Sequence, residues 1–290
     1  MIRSKLFIPG SRPELFEKAA GSAADALSFD LEDAVAQEKK AEARTHVASF
    51  LKRSNNVPGK IMIVRVNAIT SEMFHDDVDT IVGASANIII NVPKVESGDD
   101  VSKAVEAIAR AEKTHASNGK IKLLANIETP RGLRMAPEIA TSDPRVMGLQ
   151  IGFKDLLSRW EIDSRDTVAQ QYVRLQVRLA AAEGGIAAYD GAFTDIKQPD
   201  AFRAEAEAAR RMGFAGKSCI HPSQIPIANE VFAPRAEEIA YAEKILAAAR
   251  DAADRGLAVF TLDGQMIDEP IVAQARAIVG LAAKVNTANS

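Results

Sequence analysis

Short apolar runs alternate along most of the chain with stretches whose apolar positions recur every three or four residues. The runs fall at 5–9, 26–31, 60–66, 87–92, 121–127, 146–151, 185–188 and 216–220. The run at 121–127 is apolar apart from Lys122 and Asn126, the pattern of a strand covered on both faces. Between the runs, Val101, Ala104, Val105, Ile108 and Ala109 form one helical stripe with a charged flank, and 37–52, 71–82, 167–182 and 200–212 show similar spacing.

Eight strand–helix units imply a parallel sheet, and eight most simply close on themselves. The fold class predicted is α/β, a (β/α)8 TIM barrel over residues 1–231. An open doubly wound sheet is disfavoured because no Gly-x-Gly-x-x-Gly turn follows the first strand. After the eighth unit come a helix at 235–253, a hairpin at 257–267 turning at Asp263-Gly264, and a last helix at 270–284. This helix–hairpin–helix extension, residues 232–290, is too short for an independent domain. It is expected to pack on its own barrel or on a neighbouring subunit.

With 290 residues and 47% hydrophobic content the chain can bury a large core. The formal net charge is −3 and the basic residues are scattered, which argues against nucleic acid and acidic membrane surfaces as partners. A single cysteine, Cys219, rules out an internal disulfide and fits a reducing compartment. No apolar run has the length of a signal peptide or a membrane span, so a soluble cytoplasmic protein is expected.

In barrels of this kind chemistry sits where strands end and loops begin. The polar residues there are Arg12; Asp30, Glu32 and Asp33; Arg65 and Asn67; Lys94 and Glu96; Glu128 and Arg131; Asp155; Asp190; and His221. Glu128 and Asp155 follow adjacent strands and can converge on one ion. With no cysteine or histidine beside them, all-oxygen ligation favours a hard cation such as Mg2+. Alternatively, each acid caps a helix or pairs with an arginine such as Arg131. Arg65 ends the strand IMIVRVN, either in an ion pair with the Asp30/Glu32/Asp33 cluster or as a clamp for a carboxylate or enolate oxygen. Asp268, before Glu269-Pro270, reads first as a helix cap. His221 is either a base or a packed loop residue, and Cys219 reads as a small core residue. No Gly-x-Ser-x-Gly elbow or Cys/His pairing suggests covalent catalysis.

Eight segments occur in one order: RSKLFIPGSRPELFEKA, DLEDAV, VRVN, PKVE, IETPRG, GFKDL, GKSCIHPSQI and DGQMIDEP. Together they resemble the citrate lyase beta-subunit-like enzymes of the HpcH/HpaI aldolase superfamily, over nearly the whole chain. The resemblance implies a magnesium-dependent barrel that makes or breaks a carbon–carbon bond beside a CoA thioester such as malyl-, citramalyl- or citryl-CoA. It puts Glu128 and Asp155 at the metal-ligand positions and Arg65 at the arginine that holds the oxo-acid and the enolate oxygen. Phe7, Arg12 and Lys18 fall at CoA-contacting positions. Asp268 falls at an acid that a neighbouring subunit delivers for proton transfer, implying a homo-oligomer, a trimer or a dimer of trimers. Close alternatives are a malyl-CoA thioesterase and a citrate lyase subunit acting on acyl groups tethered to a carrier protein. In IGFKDLLSRW, Lys154 stands where such enzymes often have an acid, a departure at the second ligand.

Overall fold

The computed structural model describes residues 2–53, 57–117 and 121–288. Eight parallel strands close into a barrel in sequence order: β1 (Ser4–Pro9), β2 (Ala26–Asp30), β3 (Ile61–Arg65), β4 (Ile89–Val92), β5 (Lys122–Ile127), β6 (Val146–Ile151), β7 (Ala187–Asp190) and β8 (Gly216–Cys219). Helices α1 (Phe16–Ala20), α2 (Lys40–Arg53), α3 (Phe74–Val82) and α4 (Gly98–Thr114) follow the first four strands. Then come α5 (Pro130–Arg134), α6 (Ala136–Thr141), α7 (Phe153–Leu157), α8 (Thr167–Glu183), α9 (Pro199–Arg211) and α10 (Gln224–Val231). The TIM-barrel expectation is thus met.

The uninterrupted apolar runs have a direct cause. One set of side chains, including Leu27, Phe29, Val64, Ile90, Ile127 and Leu149, faces the helices and joins the main core. The alternate set at the barrel floor, Ala26, Ile63, Ile89, Leu124 and Tyr189, forms a separate inner cluster. Because side chains alternate along a strand, the inner face turns polar above that floor: Lys5, Ser28, Asn91, Asn126, Gln150 and Ser218 are all buried.

Register decides which of these polar groups meet. Asp30 pairs at Cα with Arg65, and Arg65 with Asn91. A bulge between Leu123 and Leu124 shifts the β5–β6 ladder, after which Asn126 lies opposite Gln150 and Ile127 opposite Ile151. Glu128 therefore emerges beside Gly152.

The described residues divide into two compact units, Ile2–Phe232 and the part from Ala233 onward. In the second unit α11 (Ala236–Asp254) and α12 (Glu269–Ala288) flank the hairpin of β9 (Phe260–Leu262) and β10 (Gln265–Ile267). Ala242, Ile245, Ile267, Val272 and Ala275 form its own core. Asp263 and Gly264 both have positive φ, 51° and 80°, as the tight hairpin turn requires. No helix among the described residues is long and apolar enough to cross a membrane.

Candidate active site

Arg65 is fixed by acids from β2 and the loop after it. Its Nε and Nη2 donate to the two carboxylate oxygens of Asp30 at 2.7 and 2.6 Å, a bidentate fork. Its Nη1 lies 3.0 Å from Glu32 Oε2 and 3.7 Å from Asp33. Burial alone would lower the guanidinium; Asp30 and Glu32 more than offset it and hold the group cationic, above its ordinary value. Of five N–H donors, Asp30 takes two and Glu32 faces a third, so two are left for a substrate. The ion pair anticipated with the acidic cluster is present, and it leaves the clamp function possible.

Glu128 leaves β5 into a nearly closed space, 3% exposed. Its Oε2 accepts from the backbone N–H of Lys94 at 3.1 Å, and its Oε1 accepts from Asn126 Nδ2 at 3.0 Å. Lys94 aims that N–H from a left-handed conformation, φ 53°, rare for a residue with a side chain. Its ammonium bonds Glu32, which Arg65 also faces. Burial above all pushes the Glu128 carboxyl up to about 7; Arg65 and Lys94 pull it down, while Glu32 and Asp155 push it further up. Gly152 is the reason that carboxyl fits: a Cβ there would come within 2.5 Å of Glu128 Cγ and 2.6 Å of Oε1.

Asp155 sits in the first turn of α7. It lines a cavity of about 570 Å³ with Glu128, Glu96, Arg131, Arg134 and Arg159. Neither Glu128 nor Asp155 forms an ion pair among the described residues, and Arg131 is exposed rather than bonded to Glu128. No three His, Cys, Asp or Glu side chains among them converge as a metal-binding group. Glu128 and Asp155 would offer two carboxylates to a cation there, with water or substrate oxygens completing its sphere, a set that suits magnesium. A carboxyl pushed up by burial, and further by carboxylate neighbours, also fits a cation, since a bound cation would offset that penalty.

The other anticipated residues are distributed as follows. Phe7 faces the barrel interior, its ring centroid 5.2 Å from Arg65 Cζ and 4.3 Å from Lys5 Nζ. Arg12 and Lys18 are exposed beyond β1, and Arg12 pairs with Glu14. Asp268 belongs to the second unit, where its Oδ1 accepts from the Ile271 N–H at 3.4 Å at the start of α12. His221 is exposed and its Nδ1 accepts from the Ser223 N–H at 3.2 Å, a loop contact. Cys219 is buried and its thiol is pushed up to about 12, so it stays protonated.

Two acceptors and donors expected at the mouth turn outward instead. Asp190 is wholly buried against the helix layer, bonded by Arg174 at 2.9 and 3.2 Å and by Lys217 at 2.6 Å. Asn67 is taken up by Asp77 of α3 at 2.6 Å. A larger groove of about 980 Å³ runs between α8, α9 and the loop after β7. Its buried cation, Arg174, is already committed to Asp190. Lys5, Lys94, Asn126, Gly152, Arg134 and Arg159 are site residues that sequence reasoning left without a role. Lys94 was marked by its place at a strand end, and Lys5 carried a signal of its own: a lysine two residues before Phe7 in an apolar strand must share its face.

A closed parallel barrel that brings a braced arginine and two carboxylates free of ion pairs to its carboxyl face has the form of an enzyme active site. The model of the HpcH/HpaI aldolase/citrate lyase family matches residues 3–222. A (3S)-malyl-CoA thioesterase from Cereibacter sphaeroides is 39% identical over 277 residues, 94% of this chain and 92% of that protein. The citrate lyase subunit beta of Escherichia coli is 34% identical over 282 residues, 97% and 93% of the two chains. The structure of CitE from Mycobacterium tuberculosis in complex with magnesium, acetoacetate and coenzyme A superposes with a TM-score of 0.76 at 32% identity, covering 97% of both chains. The chain belongs to the HpcH/HpaI aldolase/citrate lyase family, and it is an enzyme of the citrate lyase beta-like, oxo-acid lyase group.

Proposed function

We propose that the protein is a Mg2+-dependent carbon–carbon lyase that cleaves or forms a 3-hydroxyacyl-CoA thioester such as malyl-, citramalyl- or citryl-CoA. The observation that carries this reading is the pairing of a buried, cation-seeking Glu128 and Asp155 on one cavity with a bidentately braced Arg65. Glu128 and Asp155 would hold the ion, which when bound orients the oxo-acid and polarises its carbonyl. Arg65 presents its two remaining donors to the oxygen on which negative charge develops as the enolate forms. Asp30 and Glu32 hold that guanidinium still, so little reorganisation is needed during reaction.

Phe7, Arg12 and Lys18 are the proposed CoA contacts, the last two offering exposed cations to phosphate. Asp268 is the proposed general base, by its position in DGQMIDEP, delivered from a neighbouring subunit of a homotrimer or a dimer of trimers. Mixing Asp268→Ala with Glu128→Ala protein then restores part of the activity; no recovery after confirmed subunit exchange refutes the sharing. The decisive experiment for the reaction is incubation with Mg2+ and each acyl-CoA, with products identified by mass spectrometry. Acetyl-CoA with glyoxylate, pyruvate or oxaloacetate marks the lyase. Free malate with CoA marks a thioesterase, the second reading, which the 39% identity to a malyl-CoA thioesterase favours. Co-purification of an acyl-carrier partner would instead mark a citrate lyase subunit. Failure to turn over any of these thioesters refutes the proposal.

A further inference from the structure

We propose that Lys5 is a positioning residue for Arg65, acting through the ring of Phe7. Lys5 and Phe7 stand two apart on β1 and so share the inner face of the barrel. Lys5 is 1% exposed. Its ammonium donates to Gln150 Oε1 and lies over the Phe7 ring at 4.3 Å. Among the described residues no carboxylate comes within ion-pair distance of it. Burial, and then the charge of Arg65, push the Lys5 amine well below the ordinary lysine range, so a lysine is a costly choice with only an amide and a ring for company. An apolar side chain of equal length would be cheaper there, so stability does not account for this lysine.

The geometry supplies another account. The same ring carries Arg65 Cζ at 5.2 Å. Asp30 grips the guanidinium along one edge and Glu32 faces its Nη1, and neither acid covers the face of its plane. The Phe7 ring supplies a further contact, because a cation is drawn to an aromatic face. Lys5 in turn holds the ring, since its Nζ, packed 4.3 Å from the ring centroid, keeps Phe7 from rotating toward the mouth. Gln150, on β6 three strands round the barrel from β1, accepts from the Lys5 Nζ across the interior. The line Gln150–Lys5–Phe7–Arg65 thus ties β6 to β3 across the interior, beneath the two donors that Arg65 offers to substrate.

The inference rests on Arg65 acting as the oxygen clamp, and the test separates the two. Lys5→Met, Phe7→Leu and the double variant are assayed with the preferred acyl-CoA and Mg2+, in the native and the Arg65→Lys backgrounds. Lys5→Met lowers kcat on the order of ten- to hundred-fold, with KM for the acyl-CoA changed by less than about two-fold. The double variant is no worse than Phe7→Leu alone, because both act through one ring, and Phe7→Tyr recovers most of the kcat. In the Arg65→Lys background neither substitution costs more. Additive losses in kcat, a wild-type kcat in Lys5→Met, or a rise in acyl-CoA KM at constant kcat in Lys5→Met each overturn the proposal. If Lys5→Met gives no cooperative melt, Gln150→Leu and Phe7→Leu carry the same comparison. Oxaloacetate titrated calorimetrically into the Mg2+-loaded protein reads the clamp without turnover. Were the native protein to cleave no thioester, the proposed reaction would fail, yet a weakening of oxaloacetate binding by about ten-fold in Lys5→Met would still uphold the positioning role. Unchanged binding would sink it.

Discussion

Replacing Glu128 by glutamine is expected to stabilise the metal-free protein above neutral pH, although Glu128 lies at the heart of the site. The carboxyl ionises at about 7 when folded against an ordinary 4.5. At 1.36 kcal/mol per pH unit, holding it ionised costs the fold roughly 3 kcal/mol. The sign follows from proton counting: between pH 4.5 and 7 the unfolded chain has released this proton and the folded chain has not. Raising the pH therefore drains stability through that window, and above about 7 the loss is complete. Glutamine keeps an oxygen for the Lys94 N–H and carries no charge, so the variant escapes the loss. At roughly 2–4 °C per kcal/mol for a domain near this size, its Tm in EDTA should exceed that of the native protein by roughly 6–12 °C at pH 8 and match it near pH 4.5. Asp25, Asp30 and Asp190 are held below their ordinary values and act at lower pH, so they drop out of the difference. Adding Mg2+ should raise the native Tm more at pH 8 than at pH 5.5, and raise that of the variant little at either. A Tm difference independent of pH, or a Mg2+ effect that survives the substitution, refutes both the burial argument and the ligand assignment.

The remaining predictions probe separate parts of the molecule. Gly152→Ala should weaken Mg2+ at least about ten-fold, as measured by titration calorimetry, with little change in Tm, because the added methyl would occupy the space of Glu128 Cγ. Asp190→Ala should cost roughly 3 kcal/mol in denaturant unfolding, because it leaves two buried cations, Arg174 and Lys217, to share the single carboxylate of Glu205. Replacing Arg12 and Lys18 together by alanine should raise KM for the acyl-CoA with kcat nearly unchanged, since exposed phosphate contacts bind ground and transition states alike.

The barrel was legible because its strands need two apolar faces and its helices one, and those two periods survive in the sequence. Asp263-Gly264 gave the hairpin turn for a local reason, as both residues accept positive φ. The seventh strand came two residues later than the apolar run suggested. Gly185, at φ 63°, is still closing α8, and the strand ends in Tyr189-Asp190. Asp190 shows why strand-end polarity reveals too little: one step along a strand turns a side chain from the mouth to the helix layer. The Asp30–Arg65 pair was readable as residue types, but only the ladder register makes it bidentate. Gly152 and Asn126 could not be read at all, since their roles lie in what they leave or offer to Glu128 across a strand boundary. The bulge at Leu123/Leu124 that sets this boundary has no composition signal.

Charge pairing at the mouth explains why a divalent ion is the natural complement. Asp30 is spent on Arg65, and Glu32 is shared by Arg65 and Lys94, whose ammonium also lies 3.5 Å from Asp33. Glu128 and Asp155 form no ion pair among the described residues, and they share one cavity, which Glu96 also lines. Had a third cation from the barrel reached them, Glu128 would have been held below its ordinary value as Asp30 is, rather than pushed up to about 7. Two carboxylates without counter-charge leave two negative charges to be matched, which one divalent cation does while keeping most of its coordination sphere for water and substrate. The arginines at that cavity, Arg131, Arg134 and Arg159, are exposed. There they would meet the substrate's own anionic groups rather than compete for the ligands.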